Sequence, residues 1–184
     1  MKNVFLFSII ASLVLFSHTF GNEQRALNVV PQVDLKRYMG TWYEIARLPN
    51  TFQKQCMSDV TAIYEMNEKD EISVTNQCLT EDGMMSKAQG EVKKSSDTEP
   101  NSKLKVRFAP AFLSFLPFVW GDYWILQLGE DYSYAVIGEP DRKYLWILSR
   151  TQKMDETLYQ SLLTKTQEQG YDISNLQRTI QTIK

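Results

Sequence analysis

The feature that most constrains the fold is a succession of eight short β-type runs, each separated from the next by turn residues. The runs cover residues 41–47, 58–66, 71–79, 85–93, 103–108, 123–128, 134–139 and 144–150. Short connections between this many strands are typical of an antiparallel up-and-down sheet. A sheet of this size can close on itself, and its interior then holds either side chains or one small ligand. We therefore predict an all-β fold, an eight-stranded antiparallel up-and-down β-barrel, without deciding yet whether it is hollow.

Alternation of apolar and polar residues assigns faces to several of these strands. The inward residues of the alternating strands are Val60, Ala62, Tyr64, Ile72, Val74, Leu104, Val106 and Phe108. The last three strands are apolar on both faces, so their outer side requires a cover.

Residues 156–169 supply that cover. Asp155 is a suitable N-cap and Gly170 a suitable stop, while Leu158, Leu162 and Leu163 form an apolar stripe. We predict one C-terminal α-helix packed on the outside of the barrel. A short final strand is expected within residues 177–183.

The first 21 residues have the features of a secretory signal peptide. Lys2 precedes an apolar run over residues 4–16, and the small residues Thr19 and Gly21 favour cleavage after Gly21. The run is shorter than the roughly 20 residues of a membrane span. We expect a single exported domain over residues 22–184, periplasmic or secreted, with a position at the periphery of an outer membrane as a further alternative. Because no cysteine stands at the junction, we expect no lipid anchor.

Export would remove His18, the only histidine, and with it the commonest general base and metal ligand. We therefore expect no metal, no cofactor and no catalysis. Glu44 is the only acid that we consider for an enzymatic role. The formal net charge of −2 lacks the basic excess that nucleic-acid binding requires.

Cys56 and Cys78 would lie in an oxidising compartment, where paired cysteines usually form a disulfide. Folding two strands about the turn at residues 67–69 places these positions nearly opposite each other on the apolar face. Opposed Cβ atoms are what a disulfide requires. We predict that bond, with two unpaired buried thiols as the alternative.

Three ordered segments carry a resemblance to a known family. Residues 40–47 read Gly-Thr-Trp-Tyr-Glu-Ile-Ala-Arg and resemble the opening strand of the lipocalins, whose hallmark is Gly-x-Trp. Residues 129–137 resemble the second conserved block, and residues 145–150, which end in arginine, resemble the third. The resemblance covers residues 33–183. Residues 40–52 and 138–151 are most similar to bacterial lipocalins of the apolipoprotein D-like group.

The resemblance implies roles for particular residues. Gly40, Trp42 and Arg150 would be structural, with the arginine lying across the indole in a cation–π contact. The interior would bind a fatty acid or lysophospholipid for lipid storage, transport or envelope membrane maintenance. The expected ligand-binding residues are Ala62, Tyr64, Ile72, Val74, Val106, Phe108, Tyr123 and Trp146. Arg47, or a tyrosine near the mouth, would meet a polar head group.

The apolar loop over residues 109–120 is unusual, because loops are generally polar. It either folds over the barrel as core or forms an apolar rim that contacts a membrane, a partner or the ligand. Two other functions stay open. One is a ligand-free structural barrel that acts through this loop, for example as a homodimer; the other is a lipocalin-type enzyme.

Overall fold

A computed structural model describes residues 26–182 of the chain. The predicted signal peptide, residues 1–21, and the last predicted residue of the final strand, Ile183, lie outside the described residues. The elements in chain order are α1 (Leu35–Tyr38), β1 (Gly40–Arg47), β2 (Ser58–Met66), β3 (Ile72–Leu79), β4 (Met85–Lys94), β5 (Lys103–Arg107), β6 (Gly121–Leu128), β7 (Tyr134–Gly138), β8 (Leu145–Ser149), α2 (Glu156–Glu168) and β9 (Gln177–Arg178).

The sheet closes because β1 pairs antiparallel with both β2 and β8. From β2 to β8 each strand pairs antiparallel with the next along the chain. The predicted eight-stranded up-and-down barrel is therefore confirmed, with strand boundaries within two residues of those expected. The final strand is shorter than predicted: β9 pairs with β1 at Ala46 and Arg47 and is followed by one bridge from Ile180 to Ser58.

Helix α2 covers the strands that are apolar on both faces, as the sequence predicted. The Asp155 carboxylate accepts a hydrogen bond from the Leu158 backbone N–H at 2.9 Å, and Gly170 ends the helix with φ +86°. The helix packs Tyr159 and Leu162 into an outer cluster with residues that include Leu126, Val136 and Ile147. A separate inner cluster lies inside the barrel.

The up-and-down order separates the connections into two ends. The β1–β2, β3–β4, β5–β6 and β7–β8 connections lie at one end, called the open end below. The other end, called the closed end, carries α1 and the remaining connections. Here the Asp34 carboxylate caps α1, and the Asn101 side chain exchanges two hydrogen bonds with the backbone of Val33. The chain before β1 thus seals one end of the barrel.

Within residues 26–182, no helix has the length and apolarity that crossing a bilayer demands.

Candidate ligand-binding cavity

The barrel encloses a cavity of about 520 Å³, a size typical of sites for small molecules. It reaches the open end, where residues of the β1–β2, β5–β6 and β7–β8 connections contribute to its wall. Small inward residues leave this space: Ala62 on β2, Ser86 and Ala88 on β4, and Gly121 on β6. A hollow interior of this kind argues against a solidly filled structural barrel.

Seven of the eight residues expected from the sequence line the cavity. They are Ala62, Tyr64, Val74, Val106, Phe108, Tyr123 and Trp146. Ile72 is not among the residues that line the cavity: its side chain is buried in the inner cluster, and it pairs with Met66 and Val92 at the closed end of the strands. Alternation identified its face, but not its height along the barrel.

Sequence reasoning missed the wall residues of the β1–β2 connection, Phe52, Gln53 and Gln55. The ring of Phe52 contacts those of Tyr144 and Trp146, at centroid distances of 5.3 Å and 6.1 Å. Because irregular backbone has no repeating period, no sequence pattern predicts that these side chains point inward.

A polar group at the mouth, named the mouth network here, joins Glu44, Arg47, Gln53, Trp146 and Thr179. The Gln53 amide donates to Glu44 at 2.8 Å and accepts from the Trp146 indole N–H at 2.9 Å. Glu44 also pairs with Arg47 and accepts from the Thr179 hydroxyl. Gln53 therefore fastens the β1–β2 connection to the barrel wall.

The mouth network corrects the head-group role that we expected of Arg47. Its guanidinium is engaged by Glu44 and does not line the cavity. Glu44 is buried and does line the cavity, but three side chains occupy its carboxylate. Among residues 26–182, no three His, Cys, Asp or Glu side chains are grouped so as to hold a metal ion.

Three buried tyrosines form the floor of the cavity. The hydroxyls of Tyr38 and Tyr123 are 2.7 Å apart, and the ring centroids of Tyr64 and Tyr123 are 6.0 Å apart. Tyr64 and Tyr123 line the cavity, while Tyr38, on α1, lies beneath them. Burial raises the pKa of all three phenols well above the usual value, so each remains a neutral O–H donor at neutral pH. This floor is apolar in bulk but carries hydroxyl groups.

Below the floor, Arg150 and Trp42 close the barrel. The guanidinium carbon of Arg150 is 3.8 Å from the centroid of an indole ring that is wholly buried. Its nitrogens donate to the backbone carbonyls of Thr41, Arg37, Tyr38 and Met39 at 2.9–3.0 Å. Gly40, with φ +95°, lies where an added Cβ would come 3.4 Å from this guanidinium. The three residues thus lie together at the closed end.

The predicted disulfide between Cys56 and Cys78 is confirmed, with the two Cα atoms 5.5 Å apart. It ties the end of the β1–β2 connection to β3, and both cysteines contribute to the cavity wall.

The 109–120 loop presents its phenylalanines to solvent. Phe112, Phe115 and Phe118 are 74%, 77% and 80% exposed, so the interpretation of these rings as core is wrong. Eight of the nine large hydrophobic residues that are exposed in the described chain lie at the open end: Phe52, Met57, Met84, Met85, Phe108, Phe112, Phe115 and Phe118. These eight are called the apolar rim below.

Comparison with known proteins agrees with this architecture. The lipocalin-like domain family matches residues 33–181. Temperature-induced lipocalin-1 of Arabidopsis thaliana is 43% identical over 161 residues, which are 87% of this chain and 86% of the relative. Outer membrane lipoprotein Blc of Escherichia coli K12 is 36% identical over 151 residues, covering 82% and 80% of the two chains. Apolipoprotein D of Mus musculus is 32% identical over 156 residues, covering 80% and 77%.

The likeness to bacterial lipocalins and apolipoprotein D that residues 40–52 and 138–151 indicated is thus confirmed, and it extends to a plant relative. Lipocalins bind small hydrophobic ligands. From the closed barrel, the Trp42–Arg150 closure and a domain match over most of its length, we conclude that this chain belongs to the lipocalin family.

Proposed function

We propose that this protein binds and carries a single-chain lipid, of the fatty acid or lysophospholipid class, in the barrel cavity. The observation that carries the proposal is the enclosed space of about 520 Å³, whose wall is mostly apolar. Burying fifteen methylenes would contribute about 12 kcal/mol. An association cost of about 4 kcal/mol leaves about 8 kcal/mol, which corresponds to a micromolar Kd.

We assign ligand contact to the seven predicted residues of the wall, and to Phe52 at the mouth. Catalysis is not part of the proposal, since Glu44, the one acid considered for it, is already held by its neighbours in the mouth network. The role proposed for the carrier is lipid storage, transport or maintenance of an envelope membrane, after export of the chain. The name of the Escherichia coli relative, an outer membrane lipoprotein, supports a location near a membrane.

The apolar rim supports a further part of this proposal, peripheral contact with a lipid bilayer. The exposed hydrophobic side chains lie at the end through which the cavity opens. Phe52 and Phe108 among them line the cavity, as does Val119 of the 109–120 loop. A lipid that enters or leaves through this end would therefore cross little water if the rim rests on a membrane. Burial of the rim against a second copy of the chain is the competing outcome.

Blocking the cavity tests the carrier function. The double substitution Ala62→Phe/Ala88→Phe adds two rings to the hollow interior and should abolish displacement of a fluorescent apolar probe by long-chain lipids. Ser73→Phe adds a ring to the outer face of β3 and should leave displacement unchanged. Native mass spectrometry of the purified wild-type protein should show a retained lipid. A wild-type protein that binds neither probe nor lipid would contradict the proposal.

A further inference from the structure

The charges around the cavity disfavour a buried anion. The charged side chains in its wall are the acids Glu44, Asp122 and Glu139, and none of the lysines or arginines between residues 26 and 182 joins them. Each acid has its own partners. Glu44 pairs with Arg47, Asp122 accepts from Lys105 at 2.7 Å, and Glu139 accepts from backbone N–H groups of the β7–β8 connection. A ligand carboxylate placed inside would lose its water without gaining a cation.

The tyrosine floor has at least one O–H hydrogen that no hydrogen bond within the floor uses. Tyr38, Tyr123 and Tyr64 carry three O–H hydrogens between them, one each. Three hydroxyls in a row can form at most two hydrogen bonds with one another, and the Tyr38 and Tyr123 hydroxyls, 2.7 Å apart, form one of them. At least one O–H therefore has no acceptor within the cluster. A buried O–H that donates no hydrogen bond lowers the stability of the protein, unless a ligand or a water molecule accepts from it.

Arg150 determines which hydroxyl is left over. Its guanidinium donates to the Tyr38 carbonyl at 3.0 Å, and its charge acts on the phenols of Tyr38 and Tyr123. A cation at the closed end attracts the phenol oxygens and repels the O–H hydrogens. The hydrogens then point away from Arg150, in the order Tyr38, Tyr123, Tyr64. The last of them, on Tyr64, is directed into the cavity.

We propose that the Tyr64 hydroxyl donates to an uncharged acceptor oxygen at the innermost end of the ligand. The cavity would then bind neutral single-chain lipids, such as long-chain ketones, aldehydes or alcohols, more tightly than fatty-acid anions of equal length, so the fatty acids named in the carrier proposal would be weaker ligands of the same cavity. This inference rests on the carrier function proposed above. A fatty-acid anion could still bind with its carboxylate in water at the open end, but it would leave the floor donor unused.

Three ligands of equal chain length test the inference. Dodecan-2-one, dodecane and dodecanoate each compete with a fluorescent apolar probe at pH 8, where dodecanoate is ionised. The ketone should bind about fivefold more tightly than dodecane, the contribution of one neutral hydrogen bond. Dodecanoate should bind more weakly than the ketone. Tyr64→Phe should lower the affinity for the ketone to that for dodecane. The affinity for dodecane itself should be the same in the variant and in the wild type.

Tyr43→Phe is the matched control, because Tyr43 lies on β1 between two inward residues and outside the cavity wall. It should preserve the fivefold preference. Three results would overturn the inference. The wild type could bind ketone and dodecane equally, it could bind dodecanoate more tightly than the ketone, or the preference for the ketone could survive Tyr64→Phe. Failure of all three compounds to bind would instead contradict the carrier function itself.

Discussion

The Arg150 guanidinium lies 3.8 Å from the centroid of the Trp42 indole while its nitrogens bind the carbonyls of the chain that leads into β1. One side chain thus fixes the ring that closes the barrel and the backbone that approaches it. The resemblance to lipocalins implied the ring contact. Bonds from the arginine to nearby backbone carbonyls were expected as well, and the folded chain identifies those carbonyls.

Arg150→Met should therefore lower the free energy of unfolding by about 3 kcal/mol, through loss of the cation–π contact and of charged hydrogen bonds. Urea titration measures this change. Lys87→Met removes the charge of an exposed lysine on β4 and should have little effect. Equal stability of the two variants would show that the closed end does not depend on Arg150.

Gln53→Ala should speed the release of a bound fluorescent lipid by roughly tenfold. The substitution removes the hydrogen bonds to Glu44 and Trp146 that fasten the β1–β2 connection over the mouth. Stopped-flow dilution measures the release rate. Gln89→Ala, at an exposed position on β4, is the control and should release lipid at the wild-type rate. An unchanged rate in Gln53→Ala would mean that lipid leaves by another route.

The triple substitution Phe112→Ser/Phe115→Ser/Phe118→Ser should reduce binding to phospholipid vesicles by more than tenfold, since each ring can bury substantial apolar area in a bilayer. Stability should change little, because the rings are exposed in the free protein. Co-sedimentation with vesicles measures binding, and Gln89→Ser, at an exposed position on the outer wall of the barrel in β4, is the control. Wild-type protein that dimerises and ignores vesicles would favour a second copy as the partner of the rim.

High pH should destabilise the protein through its tyrosine floor. The raised pKa of Tyr64 means that the folded state keeps its proton above pH 10, where the unfolded state loses it. The unfolded state then binds fewer protons, so the free energy of unfolding falls as pH rises from about 10. Tyr64→Phe should make this fall shallower by about 1 kcal/mol per pH unit. Urea titrations at pH 9 and 11 measure the slope, and an ultraviolet titration that shows Tyr64 ionising near pH 10 would contradict the prediction.

Periodicity accounts for what could be predicted from the sequence. The alternation of Val60, Ala62 and Tyr64 assigned an inward face correctly, and the Asp155 cap located α2. Position along the barrel axis has no periodic signature, which is why Ile72 was expected in the cavity wall and lies at the closed end instead.

The unpredicted parts of the site depend on irregular backbone and on distant contacts. Helix α1 is four residues long, too short to show a helical period, yet it brings Tyr38 beneath Tyr123, 85 positions away. Gln53 belongs to a connection whose direction follows from the disulfide and the mouth network, neither of which is a local pattern. The unused O–H donor of the tyrosine floor can be recognised only in the folded chain, where the three phenols are brought together.

The separation of the inner and outer clusters has a consequence for how such a protein can diversify. Strands β6, β7 and β8 hold helix α2 with one set of side chains and face the interior with the alternate set. Interior residues can therefore change while the helix-covered layer keeps its packing. Evolution or engineering can thus adapt the same barrel to a new ligand. Much of its stability comes from the layer between the strands and α2, which the ligand does not contact.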